Sequence, residues 1–227
     1  MIELTERDGV LLLRLAEGKA NAMSLEFCDA LTARFAALSR ERAVVLTGTG
    51  HIFSAGVDLK RLVEGGAAYV RKFLPALSTM LATVFSHPAP VVAAINGHAI
   101  AGGCVLACAG DRRLMLRDGG RIGVTELLVG VPFPPVAMEI MRCATAPQFL
   151  ADAIFSGATY MPSEAAERGW VNDVIEEERA LLDRAIAAAG ALAALPPAAF
   201  ALTKRQTRQQ ALARSVSGAD VTDAEVE

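Results

Sequence analysis

The chain has 227 residues, 53% of them hydrophobic and 21% charged, with a formal net charge of −3. That is enough for one sizeable core, and the composition excludes a disordered chain. The slightly acidic balance argues against sequence-independent binding to nucleic acid; the one mildly basic stretch is KRQTR at 204–208.

In chain order, 2–6 and 10–16 read as a hairpin around the Asp8-Gly9 turn. Ser24 is placed to cap an amphipathic helix running to about Ser39. The fully apolar strand 43–48 ends in glycine, and a helix is expected over 67–86, stopped by HPAP at 87–90. Residues 90–95 form the next buried strand, followed by a short apolar helix through Ala109. RRLML at 112–116 is another strand, and RIG at 121–123 is read as its extension. Helices then dominate, at about 134–143, 147–155, 163–168, 177–193 and 197–214, with a brief strand at 171–175. Strands alternating with helices, then a helical C-terminal third, indicate an α/β fold with mainly parallel strands in a single domain.

The longest apolar stretch, 88–110, is broken by Asn96, Gly97, His98 and the Gly102–Gly103 pair, so no membrane span is expected. The opening MIELTERDGV has no targeting character, and Cys28, Cys104, Cys108 and Cys143 show no CxxC spacing, so the expected setting is a reducing, cytoplasmic one. Cys104 and Cys108 share a helix face with His98 upstream, but two small residues packed in a core outweigh a metal site, and no metal is expected.

Two segments carry chemistry: FSAGVDLK at 53–60 and NGHAIAGGCVLA at 96–107, each following an apolar strand and entering a helix. Small residues there let a ligand approach bare backbone, and Asp58 suits the start of the following helix. Either segment alone reads as an ordinary strand-to-helix turn. Together they offer two backbone N–H donors for one oxygen, the arrangement that stabilises an enolate oxyanion. Ser54 and His51 are close in sequence, but no nucleophile elbow accompanies them, so hydrolysis through Ser54 is not expected.

These residues resemble the crotonase (enoyl-CoA hydratase/isomerase) superfamily, with signatures F-S-A-G-x-D-L and N-G-x-A-x-G-G-G-C. The resemblance runs from DGVLLLRL and KANAM at 19–23, through VTELLVGVPFPP at 124–135, to ALTKR at 201–205. It implies a ClpP/crotonase ββα spiral core over 1–195, with a C-terminal helix and tail at 196–227 serving as cover or trimer contact. It also implies an acyl-coenzyme A thioester as substrate, no separate cofactor, and a homotrimer or dimer of trimers. By resemblance the oxyanion amides fall at Val57 and Gly102. Ala55, Gly56, Val57, Asp58 and Leu59 line the adenine and pantetheine groove, and Lys19 and Ala20 lie at its nucleotide end. Lys204 could meet a CoA phosphate, although a solvated helix lysine is the preferred reading. The tail after about Ser215 is short for the family.

Hydratases of this family carry one Glu directly after G-G-C and a second in P-E-x-x-x-G. Here the first position is Val105, and Glu126 alone remains. A single carboxylate suits a double-bond shift from the 3,4 to the 2,3 position, with one base moving one proton from C2 to C4. The apolar residue after G-G-C resembles the Δ3,Δ2-enoyl-CoA isomerases, so isomerase is the leading expectation. A hydratase with a non-standard second carboxylate and a silent acyl-CoA-binding protein are the alternatives. Leu127, Leu128, Val129 and Val131 are expected to give Glu126 apolar surroundings and a raised pKa. Asp111 is expected to be structural, and Glu139 to be an outward-facing charge or, facing inward, a second acid. His98 is expected in packing or a supporting hydrogen bond.

Overall fold

The computed structural model describes residues 2–217. Strands β1 (Ile2–Arg7) and β2 (Val10–Leu15) pair antiparallel across the Asp8-Gly9 turn. Both turn residues have positive φ, at 51° and 78°, as a tight two-residue hairpin loop requires. Helix α1 (Leu25–Ala37) follows, with the Ser24 hydroxyl accepting from the Phe27 amide; Phe27, Cys28, Leu31 and Phe35 form its buried stripe.

Three successive units then repeat one plan. The first is β3 (Val44–Thr47), β4 (Ile52–Ser54) and α2 (Leu59–Ser86). The second is β5 (Val91–Ile95), β6 (His98–Ile100) and α3 (Gly102–Cys108). The third is β7 (Arg112–Leu116), β8 (Ile122–Gly123), a 3-10 turn at Glu126–Val129 and α4 (Pro135–Ala144). The first strand of each unit enters one sheet and the second enters another. The remaining elements are α5 (Pro147–Ser156), β9 (Thr159–Tyr160), α6 (Pro162–Glu167), β10 (Asp173–Ile175), α7 (Glu178–Ala193) and α8 (Pro197–Ser217).

The six-stranded sheet has the order β1-β2-β3-β5-β7-β10, parallel except for the β1–β2 hairpin. Its central strands are apolar on both faces, as parallel strands covered on both sides must be. Val10, Leu12, Val45, Val92 and Ala94 face Leu181, Ala185, Ile186 and Ala189 of α7. Leu11, Leu13, Val44, Leu46, Val91 and Ile95 face the larger core.

The four-stranded sheet, β4-β6-β8-β9, changes the expectation for residues 121–123: they leave the β7 sheet and pair with Ala99 and Ile100 of β6. Gly119 and Gly120 break β7 from β8, and Gly120 has φ 125°. The helix expected over 67–86 begins earlier, at Leu59. It bends at Gly66, whose φ of 56° and ψ of −160° interrupt the helical backbone.

Helix α8 docks through charge. Asp111, just after α3, accepts from Lys204 at 2.7 Å and from Arg208 at 2.9 Å, and also from the Val91 amide at 2.7 Å. Arg208 donates to the carbonyls of Phe85, Ala109 and Gly110, at the C-terminal ends of α2 and α3, where the helix dipole favours a cation. Lys204 is therefore neither solvated nor free for a phosphate: it is 7% exposed, and burial pushes its pKa down to about 8 despite Asp111. Nearby, burial and then the Lys204 charge push buried His87 down to about 4, so that ring is neutral. Residues 218–227, most of the tail noted in the sequence, lie outside the described residues. Among the described residues no single helix is long and apolar enough to cross a membrane.

Candidate active site

Residues 20–24 and the first glycine segment are stitched edge to edge. The Ala55 amide donates to Ala20 O (3.0 Å), Met23 N–H to Gly56 O (2.8 Å) and the Asp58 amide to Met23 O (3.1 Å). The Ser54 hydroxyl donates to Asn21 O (2.8 Å) and accepts from Gly56 N–H (3.1 Å), so it is committed to holding the loop; His51 is exposed.

Asn21 and Asn96 were not singled out in the sequence, yet they organise this region. The Asn21 amide donates to Ile52 O and Phe53 O (3.3 and 3.2 Å), and Asn96 Oδ1 accepts from Gly48 N–H (2.8 Å) while its Nδ2 donates to Gly50 O (2.8 Å). Their signal was an Asn beside each small-residue turn, where a side-chain amide substitutes for missing ladder bonds.

The two glycine segments abut. A β-carbon on Gly56 would lie 2.7 Å from Ile100 O and 2.9 Å from Gly102 N, and one on Gly102 would lie 3.8 Å from Val57 Cγ2. Among the described residues, the amides of Val57 and Gly102 donate to no protein acceptor. The two segments that carry them are in contact, and both amides keep their donor capacity. Ala101 precedes Gly102 with φ 50° and ψ −124°, the conformation of the first central residue of a type II′ turn, where glycine dominates. For alanine it costs about 1–3 kcal/mol.

Ala101 N–H donates to Gly123 O at 2.7 Å, which brings the 3-10 turn beside the start of α3. Glu126, at the head of that turn, is 8% exposed. Burial pushes its pKa up to about 7, partly offset by the backbone amides of Glu126 and Thr125. Its Oε2 is buried with no hydrogen-bond partner among the described residues. The raised pKa matches the expectation, although the neighbours expected to supply its apolar setting, Leu127, Leu128 and Val129, are 44, 68 and 53% exposed. The Glu126 charge adds to burial and to the Cys108 thiol in holding Cys104 protonated.

Val105 is 1% exposed in α3 and packs in the larger core. Glu139 departs from the expected outward charge: it is 8% exposed because α4 packs on α8. There its Oε2 accepts from Arg214 Nε at 2.8 Å, and Arg142 lies 3.4 Å from Oε1. His98 is exposed, and its Nδ1 accepts from the Arg121 amide at 3.2 Å. Lys19 is exposed and Ala20 half-buried at the rim beside Ala55. The Asp58 carboxylate caps α2 by accepting from the Arg61 amide at 3.1 Å, and Leu59 is 42% exposed. Cys104 and Cys108 are buried in α3, and among the described residues no three metal-ligating side chains cluster. A concavity of about 320 Å3 lies along α8, but Val57, Gly102 and Glu126 do not line it.

A family model described as enoyl-CoA hydratase/isomerase matches residues 5–224. The chain belongs to that family. This family member is 36% identical over 166 residues to a putative enoyl-CoA hydratase of Thermus thermophilus; the match spans 72% of this chain and 64% of the Thermus protein's length. Its fold superposes on the crystal structure of a probable enoyl-CoA hydratase of Mycobacterium tuberculosis with a TM-score of 0.91, at 30% identity over 99% of this chain and 95% of the other. The human mitochondrial delta3-delta2-enoyl-CoA isomerase also gives a TM-score of 0.91, at 26% identity over 99% and 88%. The ββα units are therefore those of the crotonase fold, and relatives carry both the hydratase and the isomerase name.

Proposed function

We propose that this family member is an acyl-CoA isomerase that converts a 3-enoyl-CoA into the trans-2-enoyl-CoA. The Val57 and Gly102 amides bind the thioester oxygen and stabilise the dienolate. Glu126 removes a proton from C2, electrons move toward the carbonyl oxygen, and the same carboxyl group returns the proton at C4 as the double bond settles between C2 and C3. A carboxyl whose pKa is near neutrality serves both halves of that shuttle, because it gains and loses the proton at similar cost. Residues Lys19, Ala20 and Ala55 to Leu59 form the rim assigned to the CoA moiety; the coenzyme belongs to the substrate, and no separate cofactor enters the reaction.

The observation that carries this reading is the state of Glu126: a buried carboxyl, raised to about 7, with one oxygen unpartnered, in a chain that also leaves the Val57 and Gly102 amides unpartnered. Hydration needs a second acid–base group, and neither alternative position supplies one. Val105 is an apolar core residue, and Glu139 is engaged by Arg214 and Arg142. We assign a trimeric assembly or dimer of trimers, supported by the exposed apolar residues Leu128, Val129 and Phe155 (68, 53 and 74%).

The test is Glu126→Gln assayed with 3-enoyl-CoA. Isomerisation falls by about 10²–10⁴-fold or more, while acyl-CoA binding persists. Full residual turnover would overturn the assignment. Rapid loss of enone absorbance with 2-enoyl-CoA would favour a hydratase, and binding without turnover of any positional isomer a silent binding protein.

A further inference from the structure

We infer that Ala101 is a positioning residue for this reaction: its methyl group wedges the two amide-bearing segments at a fixed spacing and so aims the Gly102 N–H. The inference rests on the proposed role of the Val57 and Gly102 amides. Among the described residues, the non-glycine residues with positive φ are Asp8, Asn21 and Ala101. Asp8 lies in the hairpin turn, and Asn21 has a side-chain amide that bonds the neighbouring backbone. Ala101 has no polar side chain to offset its conformation.

Its backbone is pinned on both sides. The amide donates to Gly123 O at 2.7 Å, and the carbonyl accepts from Cys104 and Val105 N–H at 2.9 and 3.2 Å. The ψ angle of residue 101 sets the plane of the next peptide, and therefore the direction of the Gly102 N–H. On the other side, the Ala101 Cβ lies 3.0 Å from where a Gly56 β-carbon would stand, so the methyl fills the space against the residue preceding Val57. It is half-buried, at the mouth of the site. Glycine would satisfy the backbone better than alanine. An alanine held there against its preference maintains contact between the two segments at the expense of stability, as strain at functional sites does.

The experiment compares wild type with Ala101→Gly and Ala101→Ser. The glycine variant unfolds at a higher temperature, yet its kcat falls about tenfold or more with KM little changed, the scale expected when a reacting group is misplaced by less than an ångström or so. The serine variant keeps a β-carbon and retains most of kcat. The carbonyl stretching frequency of a bound, saturated acyl-CoA is shifted down in wild type and less so in the glycine variant. Unchanged kcat and carbonyl shift in Ala101→Gly, or an equal loss in Ala101→Ser, would overturn the inference while leaving the two amides as the oxygen site. No carbonyl shift in wild type would sink the oxygen-site assignment and this inference with it.

Discussion

Replacing Glu126 by Gln also has a thermodynamic consequence that no activity assay reads. The folded carboxyl titrates at about 7 against an ordinary 4.5, with burial as the main cause. Between those values the folded chain holds a proton that the unfolded chain has released, so stability falls as pH rises through this window and is lowest above 7. A displacement of that size corresponds to about 3 kcal/mol, at about 1.36 kcal/mol per pH unit. Glutamine keeps the shape and cannot ionise. Urea unfolding of both proteins at pH 4.5 and pH 8, matched in concentration, should therefore show Glu126→Gln gaining about 3 kcal/mol on wild type between the two conditions. Other titrating groups cancel in that comparison. In parallel, wild-type kcat/KM should rise with pH and level off above about 7, because C2 deprotonation requires the ionised base. A stability difference that does not change with pH would refute the argument that Glu126 is held in an environment hostile to its charge.

Two further outcomes test the architecture. Lys204→Ala leaves the largely buried Asp111 with Arg208 and the Val91 amide but without its second cation, and should lower stability by about 3 kcal/mol, read from the urea midpoint; a change near zero would mean that the lysine is solvated after all. Light scattering at micromolar concentration should find a trimer or hexamer, and a monomer would remove the assembly assigned here.

The strongly periodic and turn-bounded elements were legible in the sequence. Asp8-Gly9 and Ser24 each act locally, within three residues of the contact they make. The second sheet was not legible, because β4, β6, β8 and β9 are only two or three residues long and pair with strands distant in sequence. Residues 121–123 were misread for that reason: a two-residue strand carries no periodicity of its own.

At the site, residue types and spacing selected Val57, Gly102 and Glu126; the β6–β8 register pairs Ile100 with Gly123, close in sequence to Gly102 and Glu126. What covers Glu126 was not readable. Its apolar sequence neighbours Leu127, Leu128 and Val129 are exposed, so its burial is set by tertiary packing rather than by the residues beside it in the chain. Glu139 and Lys204 failed similarly. A charge looks solvated until the chain brings a partner 75 residues away for Glu139 or 93 for Lys204.

The mode of attachment of α8 also shapes how the molecule opens. The helix is held by two cations bonded to one carboxylate and to the carbonyl ends of α2 and α3, and it packs along α4, with Lys204 and Ala211 buried among its described residues. Releasing it would strip the largely buried Asp111 of both cations and uncover the α4 face that α8 covers, so its detachment exposes charge and hydrocarbon together and is resisted by both. The C-terminal helix is thus coupled to the core through α2, α3 and α4 and opens with it rather than apart from it.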